Sequence, residues 1–207
     1  MFGLFVFIII TIFLFSKLNE ILGMHIGHKM DIKNDPYSKS FSSNSEGSFI
    51  EEIDSEKKNL LKNLQIISNS YGNFSQNDFL EKSKKVFEVV FQAYANADKN
   101  TLKTLLAPRI YGAFVMAIDD RKSREEALEG TILRFISSEI IDASADDEAF
   151  FITVNFITEQ SNVLKSRNGE ILEGNPDFIE KHSDIWGFQR KKNSSGPLWL
   201  LCEIKDS

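Results

Sequence analysis

The sequence is poor in several features that define common protein classes. It contains a single cysteine, Cys202, which excludes an intramolecular disulfide framework and whose apolar setting indicates a small buried hydrophobe. Lysine and arginine number 24 against 30 acids, and the formal charge of −6 argues against nucleic acid as a partner, because phosphates require a basic surface. Glycine-rich phosphate loops are absent too, and Gly169 and Gly174 are typical of turns.

The sequence also lacks the arrangements that mark common active sites. No Ser/His/Asp, Cys/His or metal-ligand pattern is recognisable. A pocket enzyme would have only these groups for acid–base chemistry: Asp142, Glu159, Asp184, His182, Tyr94 and Tyr111. Glu159, Asp184 and Arg190 are explained more simply as rim or cross-strand ion pairs. We therefore predict no enzymatic activity, no catalytic or cofactor-binding residues and no cofactor.

An uncharged apolar run occupies residues 2–15. It is slightly shorter than the roughly 20 residues that span a bilayer comfortably. A signal peptide is the alternative, but only the α-amine supplies positive charge before the run, and residues 16–19 are a poor cleavage site. We therefore predict a single uncleaved transmembrane helix over residues 1–18. The lysines that follow it favour a cytoplasmic location for the rest of the chain.

A polar linker is predicted to follow this helix, over residues 19–48. Its second half is rich in serine and asparagine, which is typical of a flexible tether. His25 and His28 have a spacing that suits a metal on a helix, but no third or fourth ligand is evident, so no metal site is predicted.

Residues 49–70 are predicted to form an amphipathic helix. The apolar residues at helical spacing are Ile50, Ile53, Leu60, Leu61, Leu64 and Ile67. Such a helix can pack on its own domain, bind a partner or lie on a membrane. Its near-neutral charge favours the first two, because anionic lipid attracts a basic face.

Residues 75–207 are predicted to form one folded domain that begins with helices. Ser75 is placed to cap a helix from Gln76 to about Asn96. A short helix over 99–106 follows, and Pro108 suits the first position of a third helix that ends near Asp119.

The remainder of this domain reads as strands. Strands are predicted over residues 131–143, 150–163, 182–190 and 199–204, with a hairpin turn at Asn168-Gly169. Helices followed by four antiparallel strands predict an α+β fold, in which the helices pack on a curved sheet. This is the order of a cystatin-like or nuclear-transport-factor-like cone, which often encloses an apolar pocket.

Alternation along the strands gives candidate contact residues. In the second strand, the residues that share one face are Phe150, Ile152, Val154 and Phe156. In the first strand, Leu133, Phe135 and Ile141 share one face, and Ile132, Ile136 and Ile140 share the other. Because both faces are apolar, one of them is free to contact something beyond the helices. The candidates for partner or lipid contact are Trp186, Phe188, Arg190, Trp199, Phe151 and Ile157. The simpler interpretation of the 184–190 segment is that its aromatic residues fill the cone.

An ordered series of short segments resembles a known family. The segments are AYANADKNTLKTLL (93–106), AIDDR (117–121), VNFITEQ (154–160), NGEILEGNPD (168–177), DIWGFQR (184–190) and PLWLL (197–201). Together they resemble the C-terminal, Tim44-like domain of the mitochondrial import-motor scaffold, and especially its alphaproteobacterial TimA-type relatives. Those relatives also carry a short N-terminal apolar anchor. The resemblance covers about residues 79–204.

The resemblance implies an adaptor at the bacterial inner (cytoplasmic) membrane. The mitochondrial scaffold docks an Hsp70-type chaperone at the translocation channel and contacts anionic lipid. This chain lacks the long charged region through which the mitochondrial protein recruits the chaperone. The resemblance therefore gives little support for chaperone binding by this chain. We expect a non-enzymatic, single-pass, membrane-anchored adaptor associated with protein translocation. The alternatives are a domain that binds lipid or a small hydrophobe in an apolar pocket, and a pocket enzyme.

Overall fold

The structure is a computed structural model that describes residues 45–72, 74–194 and 198–206, with side chains described from residue 55 to residue 205. The predicted transmembrane helix (1–18), His25 and His28, and nearly all of the predicted linker lie outside the described residues. Among the residues that the structure describes, no helix combines the length and the hydropathy needed to cross a bilayer.

Four helices lie within the described part of the chain, and they precede the sheet. They are α1 (Ser45–Tyr71), α2 (Gln76–Ala95), α3 (Lys99–Leu105) and α4 (Pro108–Ser123). The predicted cap of α2 is confirmed, because the Ser75 hydroxyl accepts a hydrogen bond from the Asp78 N–H at 3.3 Å. The predicted position of Pro108 at the start of α4 is confirmed as well.

Helix α1 begins four residues before the predicted start at residue 49, inside the segment predicted as linker. Helix ends are the least certain part of any prediction from sequence, because a terminal turn has few hydrogen bonds to define it. Leu64 and Ile67 of α1 are buried in the core, and the Asn63 side-chain amide donates to the Ala143 carbonyl at 2.7 Å. The C-terminal half of α1 therefore packs on its own domain.

The sheet is open, antiparallel and five-stranded within the described residues, so the prediction of four strands is wrong by one. The strands are β1 (Ala127–Ala145), β2 (Ala149–Lys165), β3 (Ile171–Gly174), β4 (Glu180–Lys191) and β5 (Leu200–Asp206). Their order is β1-β2-β4-β5, and β3 also pairs with β2.

The short strand β3 explains the difference. Gly169 adopts a φ of +82°, and the Ser166 N–H donates to the Glu170 carbonyl at 2.8 Å, so the chain reverses there. Asn168, the other residue of the predicted turn, does not adopt a positive φ. The returning chain pairs with residues 163–165 of β2, beyond the 149–160 segment that pairs with β4. Four residues were too few for a period-2 pattern to reveal a separate strand.

The core lies between the helices and one face of the sheet. On β2 the predicted inner face is confirmed, because its alternate side chains are at most 3% exposed: Phe150, Ile152, Val154 and Phe156. The Phe156 ring lies 5.0 Å from that of Phe87 on α2, measured between centroids. Helix α2 therefore covers the middle of the sheet.

Three β-bulges change the faces of β1. The register with β2 skips Leu133, Ile136 and Ile141, so each is an extra residue in the strand, and all three side chains are more than 40% exposed. The partly buried residues that pack against the core are Ile132, Phe135 and Ile140. The predicted assignment of faces in this strand is therefore wrong, because each bulge resets the two-residue alternation.

Candidate functional site

An apolar pocket of about 280 Å³ opens between the α1–α2 junction, strand β4 and the two residues that precede β5. We call it the apolar pocket. Its lining consists of Tyr71, Phe74, Ser75, Asp78, Phe79, Lys82, Ser83, Lys85, Val86, Phe188, Leu198 and Trp199. Its volume lies just under the roughly 300–1,000 Å³ of typical small-molecule sites. The pocket is therefore suited to a small apolar group.

Aromatic rings form the walls of the apolar pocket. Between ring centroids, Phe79 lies 5.1 Å from Trp199 and 5.8 Å from Phe188, both edge to face. Phe74 lies 5.9 Å from Phe79 and 6.3 Å from Trp199. Such contacts hold the rings in defined positions, so the pocket is built from side chains that already pack on one another.

The charged groups at this pocket are few and partly neutralised. The Lys82 ammonium lies 2.7 Å from a carboxylate oxygen of Asp78, and this hydrogen bond raises the pKa of Lys82. Lys85 adds a second cation to the lining. The Arg190 guanidinium lies 3.7 Å from the centroid of the Tyr71 ring, and this contact fixes the end of α1 at the pocket.

A second pocket, of about 460 Å³, lies on the other side of the α1–α2 junction. We call it the polar pocket. Its lining consists of Leu61, Leu64, Gln65, Ser68, Phe74, Ser75, Gln76 and Asn77. Among the described residues that line it, the polar side chains carry hydroxyl or amide groups and none is ionisable. The two pockets share Phe74 and Ser75.

The structure divides the six predicted contact residues among three places: the apolar pocket, the core and the opposite face of the sheet. Phe188 and Trp199 line the apolar pocket, and Arg190 contacts Tyr71 beside it. Trp186 is only 6% exposed, and its ring centroid lies 4.4 Å from that of Phe87, so it fills the core.

Phe151 and Ile157 lie half-buried on the opposite face of the sheet. A contact role for any of the six residues stays a prediction. The aromatic residues of the 184–190 segment pack inside the domain, as its structural interpretation required.

None of the groups available to a pocket enzyme lines the apolar pocket or the polar pocket. On the outer face, the Arg134 guanidinium donates to both carboxylate oxygens of Glu159, at 2.6 and 2.7 Å, which is a cross-strand ion pair of the predicted kind. Asp142 also lies on this face, next to Thr153 in the register. His182 pairs with Thr158 on the inner face, and burial lowers the pKa of its imidazole.

Asp184 lies two residues from His182 on the same face of β4, opposite Phe156 in the register. The two tyrosines lie on helices: Tyr94 beneath the guanidinium of Arg121, and Tyr111 in α4. Within the described residues, no group of three or more His, Cys, Asp or Glu side chains is arranged to hold a metal ion.

Sequence reasoning missed the aromatic residue that joins the two pockets. Phe74 directly precedes the cap residue Ser75, and Phe79 is the fourth residue of α2. A hydrophobic pair at these positions is the hydrophobic staple that fixes the entry of a chain into a helix. This signal predicts the contact between Phe74 and Phe79 from sequence alone, and that contact places Phe74 at the junction.

Cys202 is predicted to react slowly with alkylating agents. Burial, followed by the charge of Glu203, raises the pKa of its thiol from 9.0 to about 11. At pH 8 the thiolate fraction is then about 100-fold lower than for an unperturbed thiol, and only the thiolate reacts. We expect modification by iodoacetamide, followed by mass spectrometry, to be about 100-fold slower in the native protein than in urea. Equal rates in the two conditions would contradict the packing of β5.

Comparison with known proteins agrees with the resemblance noted in the sequence. A family model for the Tim44-like domain matches residues 62–206, which is more than half of the chain. The chain belongs to the Tim44-like domain family. No curated protein matches its sequence. Among solved structures, the intermembrane-space region of the chloroplast protein ARC6 is similar, with 13% identity and a TM-score of 0.44 over 61% of this chain and 94% of that one.

Proposed function

We propose that this protein is a non-enzymatic adaptor anchored in the bacterial inner membrane, with its folded domain in the cytoplasm. The observation that carries the proposal is the apolar pocket in a Tim44-like domain, lined by packed aromatic rings. In this proposal residues 1–18 span the bilayer, the domain has the predicted cone shape, and the pocket receives an apolar group from a partner.

The connection between α1 and the pocket supports this arrangement. Tyr71, the last residue of α1, lines the pocket, and the buried Leu64 and Ile67 fix the same helix to the domain. A domain that is fixed close to its tether has a high effective concentration at the membrane surface. Binding is the chemistry that this lining supports best, because its aromatic walls bury apolar surface and its one carboxylate, Asp78, is paired with Lys82.

The proposed partners are components of the protein-translocation machinery, or an Hsp70-type chaperone that works beside it. These follow from membership of the family, and the pocket supports them as a place where a leucine or an aromatic side chain can be buried. Burial of one such side chain stabilises a complex by about 1.5–3 kcal/mol.

Site-specific photo-crosslinking in intact membranes tests the adaptor function. A benzophenone amino acid at position 198, which is 50% exposed and lines the apolar pocket, is expected to capture a translocase or chaperone subunit. The matched control is position 178, which is 58% exposed and does not line either pocket. Identical capture at the two positions, or capture at neither, would contradict the proposal.

The alternative function is binding of a lipid or small hydrophobe without a protein partner. The specific observation in its favour is the enclosure of the pocket by three aromatic walls, Phe79, Phe188 and Trp199, which suits a flexible apolar chain. The full chain, extracted in native nanodiscs, is then expected to release one bound lipid per protein in native mass spectrometry. Val86→Trp, which fills the pocket, is expected to abolish that signal.

A further inference from the structure

We propose that the apolar pocket receives the loop between β3 and β4 of a second copy of this chain, with Phe178 and Ile179 as the apolar anchor. We call residues 175–179 the β3–β4 loop. The contact joins two different surfaces, so it is heterologous and links copies head to tail. The inference goes beyond the proposed function and does not depend on which partner binds at the pocket.

The β3–β4 loop presents two large apolar side chains to solvent. Phe178 is 58% exposed and Ile179 is 50% exposed. The loop nevertheless has a defined shape, because the N–H groups of Asp177 and Phe178 donate to the side-chain oxygen and the carbonyl of Asn175, at 2.9 and 3.1 Å. A preformed loop loses little conformational entropy when it binds, and adjacent exposed apolar side chains mark protein–protein contacts.

A chain cannot place this loop in its own pocket. Strand β4 begins at Glu180, directly after the loop, and reaches the pocket wall at Phe188. Eight residue steps of strand separate these two positions by roughly 25 Å. The two steps from Phe178 to Glu180 add a reach of at most about 7 Å. A docked loop therefore belongs to another copy.

The segment that carries the loop is acidic. Lys181 follows it and lies beside Glu159 of β2 in the register. Residues 170–180 contain four acids and no base: Glu170, Glu173, Asp177 and Glu180. The apolar anchor is therefore flanked by carboxylates on both sides.

The lining of the apolar pocket carries the opposite charge. Lys82 and Lys85 are its cations, and Asp78 is the one acid among the described residues that line it. Asp78 pairs with Lys82 at 2.7 Å, so the exposed Lys85 gives the lining its net positive charge. Residues 73 and 195–197, which adjoin the lining in the sequence, are uncharged. Complementary charges of this kind steer the encounter and fix its register.

The size of the pocket agrees with this occupant. A volume of about 280 Å³ lies just under the usual range for whole small molecules, so it matches one or two side chains. Phe79, Phe188 and Trp199 offer ring edges and faces to an incoming phenyl ring.

Photo-crosslinking of the full chain in liposomes tests the contact. p-Azidophenylalanine at position 178 keeps the phenyl ring of the native residue. We expect it to capture a second copy through peptides of residues 71–86 or 198–199. The control is position 116, an apolar residue of α4 that is 48% exposed and lines neither pocket. Capture through other peptides, equal capture from both positions, or no captured copy at 178 overturns the inference.

Exchange of two charges gives a second, independent test. Asp177 and Lys85 are both exposed, so Asp177→Lys and Lys85→Glu are compatible with the fold. Each change alone is expected to lower capture from position 178 about fivefold at 50 mM NaCl, because like charges then meet. The double variant restores opposite charges and is expected to recover to within about twofold of the original chain.

The control for the charge exchange is Lys103→Glu. It makes the same change in net charge at an exposed position of α3 that lines neither pocket, and capture is expected to stay unchanged. No loss in the single variants, no recovery in the double variant, or an equal loss in the control overturns the assignment of Asp177 and Lys85 to one contact.

This test can fail without the proposed function failing. Positions 178 and 198 are both expected to capture a second copy, and only position 198 a translocase or chaperone subunit. Loss of the captured copy with the subunit still captured at 198 overturns this inference alone. A captured copy with no subunit at 198 overturns the adaptor function and leaves the self-contact in place.

Discussion

Phe156→Ala is expected to lower the free energy of unfolding by about 3–5 kcal/mol, the usual cost of removing a fully buried aromatic ring. Phe156 has no exposed surface, and its ring lies 5.0 Å from Phe87, 5.9 Å from Phe135 and 6.1 Å from Trp186 between centroids. With alanine, the protein loses the free energy gained by transferring the ring from water to the core. The substitution also leaves a cavity, and the three neighbours lie on different elements, α2, β1 and β4, so they cannot all move in to fill it.

The measurement is urea-induced unfolding of the full chain in detergent micelles, followed by tryptophan fluorescence. Both tryptophans of the chain, Trp186 and Trp199, lie in the folded domain and report on it. The matched control is Phe178→Ala, which removes the same ring from a position that is 58% exposed. Its effect is expected to stay within about 0.5 kcal/mol. A similar loss of stability in both variants would mean that Phe156 does not occupy the core.

Gly174→Ala is expected to destabilise the protein by more than about 3 kcal/mol, for two separate reasons. Gly174 adopts a φ of +84°, where an L side chain costs about 1–2 kcal/mol. A Cβ at this position would also overlap the backbone carbonyl oxygen of Asn162 on β2. Backbone atoms cannot rotate away, so the pairing of β3 with β2 would have to open.

Gly169→Ala separates the two reasons. Gly169 has nearly the same φ, +82°, but a Cβ there meets no heavy atom within 4 Å. This control is expected to lose only the conformational part, about 1–2 kcal/mol. The same urea titration measures both variants, and protection of the β3 amides from hydrogen exchange reports on the local opening. Equal losses would show that the close approach at Gly174 contributes nothing.

Local signals in the sequence predicted most of the helices and the inner face of β2. Ser75 and Pro108 have a physical preference for helix starts, and these preferences depend on the residues themselves rather than on distant contacts. The run from Phe150 to Phe156 alternates without interruption, so its buried face followed directly from the two-residue period of a strand.

Features that depend on pairing could not be predicted in this way. The bulge at Ile136 in β1 is defined by which residue of β2 lies opposite, and a single sequence does not contain that register. The same holds for β3, which can pair with β2 only because the pairing of β2 with β4 stops at Gln160.

The candidate site was predictable only in part, because it is formed by residues from distant segments. The sequence predicts Phe188 and Trp199 as contact residues, and both line the apolar pocket. Tyr71 and Phe74 come from the α1–α2 junction, more than a hundred residues earlier, and contacts at such a separation depend on the whole fold. The division into an apolar and a polar pocket becomes visible only once the junction is placed in three dimensions.

The three bulges of β1 bear on how this domain avoids edge-to-edge aggregation. β1 is a long border of the sheet, and three aliphatic side chains lie exposed along it. A regular border of this kind recruits foreign strands and starts aggregates. The bulges interrupt its spacing, and the amides of Asn63 and Gln92 bond to the carbonyls of Ala143 and Gly130 in the same strand. An incoming strand therefore finds no continuous template, so copies of this domain at high local concentration do not join edge to edge.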